Sequence, residues 1–361
     1  MPHAPRLKTA HTVLTPDGWQ LLLYRDRPRE ASEAIPVLLL HGLASTPDCW
    51  YGGHTGGIGT ALAESGRDVW SLELRGGPHS QHATDPAGVR MSDKLTQDIP
   101  AAMAYILKQT GQGTLDAVGH SMGGVLLTLH TLITPATPLR RLVTIGSPLA
   151  LERGTLPLVI RNQLGERIAR SLTRVPLKLL SARLSRLIPT RLLQTHFEPT
   201  LARRSTVRQT LTHHVSDVFG SELEELVRWI TTADFAALLP EGAKRYHTRL
   251  PIPTLMMVGA NDSLTTARSV SETHAAVGAA HTTLHVIGRQ SGHEYDYRHF
   301  DVLVGGRIGS EVTPLVCDWL AHARINPPQP RATRRPLRGR PSVMTLLDPG
   351  PAAKSGLFQS K

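Results

Sequence analysis

Val118-Gly119-His120-Ser121-Met122-Gly123-Gly124 is the stretch on which the reading of this chain turns. It has the form Gly-x-Ser-x-Gly. An apolar run, Leu115 to Val118, precedes it, and a helical run, Val125 to Leu132, follows it. Strand, tight turn and helix in that order make a nucleophile elbow, in which a strained turn lifts the serine hydroxyl above the sheet edge. Side chains at 119 and 123 would collide with neighbouring backbone, so both glycines have a steric reason to be there. His120 fills the variable position before the serine. The amide of Met122 points to the same place from the helix N-terminus and can stabilise an oxyanion. A bare Gly-x-Ser-x-Gly is short enough to arise by chance. The flanking strand and helix and the pair Gly123-Gly124 are what make Ser121 read as a nucleophile.

Upstream, Ile35-Pro36-Val37-Leu38-Leu39-Leu40 is a continuous apolar run, as for a strand buried on both faces. It ends in His41-Gly42-Leu43-Ala44-Ser45. A His-Gly pair at the end of such a strand is where the second oxyanion donor belongs, and the backbone N–H of Leu43 takes that role. Residues 10–27 alternate apolar and polar around Pro16-Asp17-Gly18, a hairpin signal. Gly52 to Gly59 is glycine-rich, but it follows no strand and lacks the Lys-Ser/Thr ending of a phosphate loop. It reads as a loop near the active-site mouth, entering a helix over 58–65. Asp68 to Leu74 is a further strand. Leu95, Ile99, Met103, Ile106 and Leu107 predict a helix over 92–110, with Ser92 as N-cap, Gly111 beyond its end and a kink at Pro100.

Downstream, Arg141 to Ile145 is a strand that stops at Gly146-Ser147-Pro148. From 149 to 249 the rhythm of the sheet disappears. Leu164, Ile168 and Leu172, then Leu177, Leu180, Leu184 and Leu187, fall at helical steps, with Arg167, Arg170 and Arg174 on one face. These amphipathic, basic stripes suit a cap that packs its leucines on the body, and a surface that can meet a lipid interface. The sheet resumes with Pro253 to Gly259, which leads through Ala260-Asn261 to Asp262. A helix over 266–277 and a strand over 282–287 follow. The next loop carries two histidines, His293 and His299, and a last helix is expected over 311–323.

Composition bounds the rest. The chain has 361 residues, 40% of them hydrophobic but only 4% aromatic, so core volume comes from Leu, Val, Ile and Ala. Two cysteines, Cys49 and Cys317, make no disulfide framework, and the 18 histidines form no metal-ligand spacing. The first residues lack the apolar core of a secretion signal, and no run approaches a membrane span. A soluble, cytoplasmic protein without metal or cofactor is expected. The net charge of +11 is uneven: residues 151–210 hold twelve Lys/Arg against three acids, and 325–361 hold seven against one. Peripheral contact with anionic membrane surfaces is one consequence; solvated arginine-rich faces are the plainer one. No specific nucleic-acid binding is expected.

The elements alternate strand and helix, and the order Ser, Asp, His matches the α/β-hydrolase superfamily, which the chain resembles from about residue 10 to 324. His41-Gly42, the elbow and Val258-Gly259-Ala260-Asn261-Asp262 resemble its oxyanion, nucleophile and acid segments. Tyr297-Arg298-His299-Phe300-Asp301, with Leu303 and Gly305, is similar to the histidine segment of the acid-lipase-like branch, which includes gastric and lysosomal lipases, and of the polyhydroxyalkanoate synthases. The synthases use a cysteine nucleophile and the dehalogenase and epoxide-hydrolase relatives an aspartate. Ser121 therefore favours hydrolysis.

The resemblance implies an α/β fold with a mostly parallel central sheet and helices on both faces. Its core spans 10–148 and 250–324, with a helical cap over 149–249, an N-terminal extension over 1–9 and a basic disordered tail over 325–361. It implies a triad in which Ser121 attacks an ester, His299 moves the proton and Asp262 holds the imidazole, with His293 as the alternative base. The amides of Leu43 and Met122 hold the oxyanion. A small-molecule ester with an apolar acyl group is the expected substrate. The same triad serves an acyltransferase, and a non-catalytic binding module on this scaffold is the third reading.

Overall fold

The computed structural model describes residues 6–28, 34–52, 57–84, 88–134, 136–152, 173–184, 196–198, 200–201, 204–240 and 247–323, with Arg167 and Ser171. The expected tail over 325–361, residues 1–5, the glycines at 53 and 56 and most of the first cap stripe (Leu164, Ile168, Arg170 and Leu172) lie outside them, as does Leu187.

The chain opens with the expected hairpin, β1 (Arg6–Leu14) and β2 (Trp19–Pro28), paired antiparallel across a turn in which Gly18 has φ +92. Pairing begins at Arg6, so residues 6–9 belong to the sheet and not to an N-terminal extension. Then come β3 (Val37–Leu40), α1 (Gly57–Glu64), β4 (Val69–Glu73) and the short β5 (Gln81–His82). A helical run follows in three parts: α2 (Met91–Asp93), a π-helical turn (Lys94–Asp98) and α3 (Ile99–Thr110). The π turn takes the place of the expected kink. It lets Pro100 stand in the first turn of α3, where its missing N–H costs nothing. Ser92 is not the N-cap, because the helix begins one residue earlier at Met91. At the other end Gly111 closes α3 at φ +69 and donates its N–H to the Leu107 carbonyl.

The second half contributes β6 (Leu115–His120), α4 (Met122–Ile133) and β7 (Leu139–Ile145). The insertion carries β8 (Arg174–Val175), α5 (Leu177–Leu184), α6 (Arg204–His213), β9 (Val218–Phe219) and α7 (Gly220–Thr232). The sheet resumes with β10 (Thr254–Gly259), α8 (Ala267–Val277) and β11 (Thr282–Ile287), and the described chain ends with α9 (Asp301–Val304), α10 (Ile308–Glu311) and α11 (Thr313–His322).

Among the described residues the main sheet runs β1-β2-β4-β3-β6-β7-β10-β11, with β5 beside β2. Every pair from β4 to β11 is parallel, and the pairs made by β2 are antiparallel. Side chains alternate between faces along each strand. Leu38, Leu40, Trp70, Leu72, Ala117, Met256 and Val258 fall on one face with residues of α3, α4 and α8. Val37, Leu39, Val69, Val118, Leu255 and Met257 fall on the other with α1 and α11. Two cores on two faces explain why the central strands read as unbroken apolar runs. Among the described residues no helix is long and apolar enough to cross a membrane.

Candidate active site

Three parallel strands end at the same edge of the sheet, and each delivers one expected residue. β6 ends in the elbow. Ser121 has φ +52 and ψ −125, a conformation that costs a non-glycine residue about 1–3 kcal/mol. Its N–H donates to the Ile145 carbonyl of β7 at 2.8 Å, which holds the turn in place. A Cβ on Gly119 would lie 2.5 Å from the Gly124 Cα, and one on Gly123 would lie 2.5 Å from the His41 carbonyl oxygen, as the steric reading requires. Met122 is the first residue of α4, so its amide is one of the helix's N-terminal donors.

The loop after β3 comes up against the serine from the other side. A Cβ on Gly42 would lie 3.1 Å from the Ser121 Cβ. His41 is buried, and its ring Nδ1 donates to the Gly42 carbonyl at 2.8 Å. Burial pushes the His41 pKa down to about 4, so the ring stays neutral and serves as a brace. Leu43 and Met122, the expected oxyanion donors, both line the cavity onto which Ser121 opens.

Asp262 follows β10 through a tight turn in which its N–H donates to the Gly259 carbonyl at 3.1 Å. The loop after β11 crosses directly above Gly259, whose Cβ would lie 2.7 Å from the Tyr297 carbonyl carbon. That crossing sets His299 beside Asp262: Nδ1 donates to Oδ2 at 2.8 Å, with both residues buried. Burial alone would raise the Asp262 pKa. The charge on His299, its hydrogen bond and those from Thr265 outweigh burial and hold the carboxyl well below the usual carboxylate range. Asp262 is therefore an anion that fixes the imidazole.

His120 lies 4.7 Å from the His299 ring, centroid to centroid, and its Nε2 donates to the His299 carbonyl at 3.1 Å. Burial, then the charge on His299, push its pKa down to about 3, so it stays neutral. His293 lies elsewhere. It is buried against His285, Nε2 to Nε2 at 2.9 Å, with Glu311 3.6 Å from its Nδ1, and it does not line the cavity. Asp296 accepts the Arg289 N–H at 2.9 Å and stabilises its loop. Asp301 is fully buried, not solvent-facing, and accepts the Glu198 and Arg298 amides.

The cavity holds about 240 Å³ and is mostly apolar. One wall is the core, through Ser121, His299 and Val125. The other is the insertion, through Leu177 of α5, Val218 of β9, and Leu223, Leu226 and Trp229 of α7. Neither Gly52 nor the glycines at 57 and 59 line it. Among the described residues no group of three His, Cys, Asp or Glu side chains is placed to hold a metal ion. Two features escaped sequence reading. The 223, 226, 229 spacing on α7 was a signal for a buried face. The hydroxyl of Thr265, three residues after the acid, had no pattern to reveal it.

The chain matches the family model described as alpha/beta hydrolase fold over residues 35–304. It is similar to gastric triacylglycerol lipase of Bos taurus, 30% identical over a stretch covering 31% of this chain and 32% of that protein. A putative lysosomal acid lipase/cholesteryl ester hydrolase of Crotalus adamanteus is 33% identical over a stretch covering 31% of this chain and 32% of that protein. The chain thus aligns with about a third of the length of these relatives. Among solved structures, a thermophilic esterase from Thermogutta terrifontis superposes with a TM-score of 0.56 at 17% identity, covering 87% of this chain and 99% of that one.

Proposed function

We propose that this chain, which belongs to the alpha/beta hydrolase fold family, is a serine hydrolase of carboxylic esters with apolar acyl groups, working through an acyl-enzyme. One observation carries the reading: a buried Asp262–His299 pair at 2.8 Å, with His299 and the strained Ser121 lining the same apolar cavity. In the proposed reaction, Ser121 Oγ attacks the ester carbonyl and His299 Nε2 takes the proton. The same nitrogen returns it to the leaving alcohol, and water then repeats the sequence to release the acid. Asp262 keeps Nδ1 protonated and stabilises the imidazolium. The amides of Leu43 and Met122 hold the oxyanion, an effect of about 3 kcal/mol per donor. The lipase and esterase relatives, and the apolar cavity, support an ester substrate with a hydrocarbon acyl chain.

A fluorophosphonate probe, mapped by mass spectrometry, and a p-nitrophenyl ester series of rising chain length test this. Label on Ser121 with turnover that improves beyond the acetyl ester is the expected result. Label without turnover to water, but with transfer to an added alcohol, would make the chain an acyltransferase. No label and no turnover would end the catalytic reading. A second element of the proposal concerns location. On α5, Leu179 and Leu180 are half exposed next to Lys178 in the chain, while Leu177 reaches the cavity. This arrangement suits an anionic lipid surface, and vesicle binding that ignores salt would rule it out.

A further inference from the structure

Asp262 has four donors, and two come from one residue. Oδ1 accepts the N–H groups of Leu264 at 2.9 Å and Thr265 at 2.8 Å. Oδ2 accepts His299 Nδ1 at 2.8 Å and the Thr265 hydroxyl at 2.7 Å. That hydroxyl oxygen also lies 3.1 Å from His299 Nδ1. Three atoms, Oδ2, Oγ1 and Nδ1, thus form a closed triangle among buried residues. Two protons are available to it, and only one placement satisfies all three atoms. A carboxylate can only accept, so an unprotonated Nδ1 would face an anionic oxygen with nothing between them. Nδ1 must carry a proton, the threonine must send its own to Oδ2, and the threonine lone pairs then face Nδ1–H.

A third loop leaves room for this triangle. Gly146, at the end of β7, has φ +59, and a Cβ there would lie 2.9 Å from Thr265 Oγ1 and 3.3 Å from His299 Nδ1. The backbone N–H of Thr265 needs no particular side chain to hold Oδ1. The hydroxyl does a separate job.

We propose that the Thr265 hydroxyl is a positioning residue of the acid–base pair, locking the Asp262 carboxylate and the His299 imidazole into the one tautomer and orientation that leaves Nε2 to the serine. This rests on the serine-hydrolase reading above. Thr265 also lines the cavity, but its hydroxyl is engaged by Asp262 Oδ2 and His299 Nδ1 and has no hydrogen bond to the nucleophile among the described residues. Its loss therefore slows the chemical step and leaves substrate affinity in place.

The test uses the full chain and a p-nitrophenyl ester within its chain-length optimum. Thr265→Val keeps the shape and the backbone donor and deletes only the hydroxyl. Its kcat is expected to fall about tenfold to a hundredfold, the size of one hydrogen bond to a charged group, with KM changed less than about twofold. Thr265→Ser should restore kcat to within about threefold. In an Asp262→Asn background the valine should cost less than about threefold, because the carboxylate it serves is gone. Thr265→Ala takes the place of the valine if melting shows that Thr265→Val does not fold. A kcat within threefold of wild type, a loss confined to KM, an unrescued serine variant or an undiminished loss in the Asp262→Asn background would each overturn the proposal and leave the hydrolase reading intact. A wild-type chain that cleaves no ester and takes no phosphonate would remove both.

Discussion

The side chains proposed to react and the wall that faces them are held in different ways. Ser121, Asp262 and His299 hang from β6, β10 and β11, strands joined by parallel ladders through β7. Their loops are also tied to one another by main chain, from Ser121 N–H to Ile145, from Gly146 N–H to Met257 and from Asn261 N–H to Tyr297. The facing wall belongs to the insertion, and its helix α7 is pinned to the core by side chains. On α7, Glu222 pairs with the buried Lys94, Glu225 accepts the Met91 N–H at 2.5 Å, and Ser221 donates to the Val89 carbonyl at 2.7 Å. Trp229 donates its indole N–H to the Leu149 carbonyl at 2.7 Å and turns its ring to the cavity. Main-chain links also reach back: Ser45, two residues past Leu43, bridges to Val215, and the N–H groups of Phe300 and Gly306 donate to the carbonyls of His196 at 3.3 Å and Leu201 at 2.9 Å. Backbone ladders fix positions to fractions of an ångström and suit chemistry. Side-chain anchors can be exchanged without rebuilding the sheet and suit selectivity.

Substitutions that sharpen this contrast differ widely in size. Ser121→Ala should lower ester cleavage by roughly 10⁴-fold or more and leave the melting temperature unchanged or raised, since alanine deletes only the hydroxyl. Activity retained in that variant would break the comparison at its first member. His299→Ala should cost a similar factor, whereas His293→Ala should change kcat by less than about threefold; steady-state kinetics on the pair decides which histidine is the base. Trp229→Leu acts on the other wall. It widens the cavity, and the preferred acyl chain should lengthen, with the ratio of kcat/KM between long and short esters rising about tenfold. An unchanged chain-length profile would mean that the α7 wall does not meet the acyl group.

The smallest expected effect is on stability and lies where the two regions touch. Asp301 joins Glu198 of the insertion to the histidine loop. Its pKa is pushed up to about 7 by burial, which outweighs the two amides it accepts, and its Oδ1 has no hydrogen-bond partner among the described residues. A raised carboxyl favours the folded state in its protonated form. That contribution is fully present below the ordinary value of 3.8 and is lost as pH rises through about 7. Asp301→Asn should therefore stabilise the fold by about 2 kcal/mol at pH 8 and by little at pH 4, read from urea midpoints at the two pH values. Equal shifts at both would show that the charge is not the cause.

The local pattern carried the elbow far. Gly119, Ser121 and Gly123 announce themselves because the turn tolerates no other residues, and the apolar runs of β3, β6 and β10 are unbroken because both faces of those strands are covered. Asp262 was legible as the first acid after a strand. The two histidines were not separable in this way. His293 and His299 lie six residues apart in one loop, and only the crossing of that loop above Gly259 sends one to Asp262 and the other to His285. Pro100 was read as a kink because its missing N–H is local, but the π turn that absorbs it depends on packing along the whole helix.

The sequence by itself determined the α/β architecture, the strained serine and the amides expected around it, because strand periodicity and glycine sterics act within a few residues. Only the tertiary structure decided which histidine lies on Asp262, the place of the Thr265 hydroxyl beside that pair, and the leucine and tryptophan wall that lines the cavity. The contacts of His299 with Asp262 and Thr265, and of Trp229 with Leu149, join residues more than thirty positions apart, and no local pattern in the chain records which distant surface a side chain will meet.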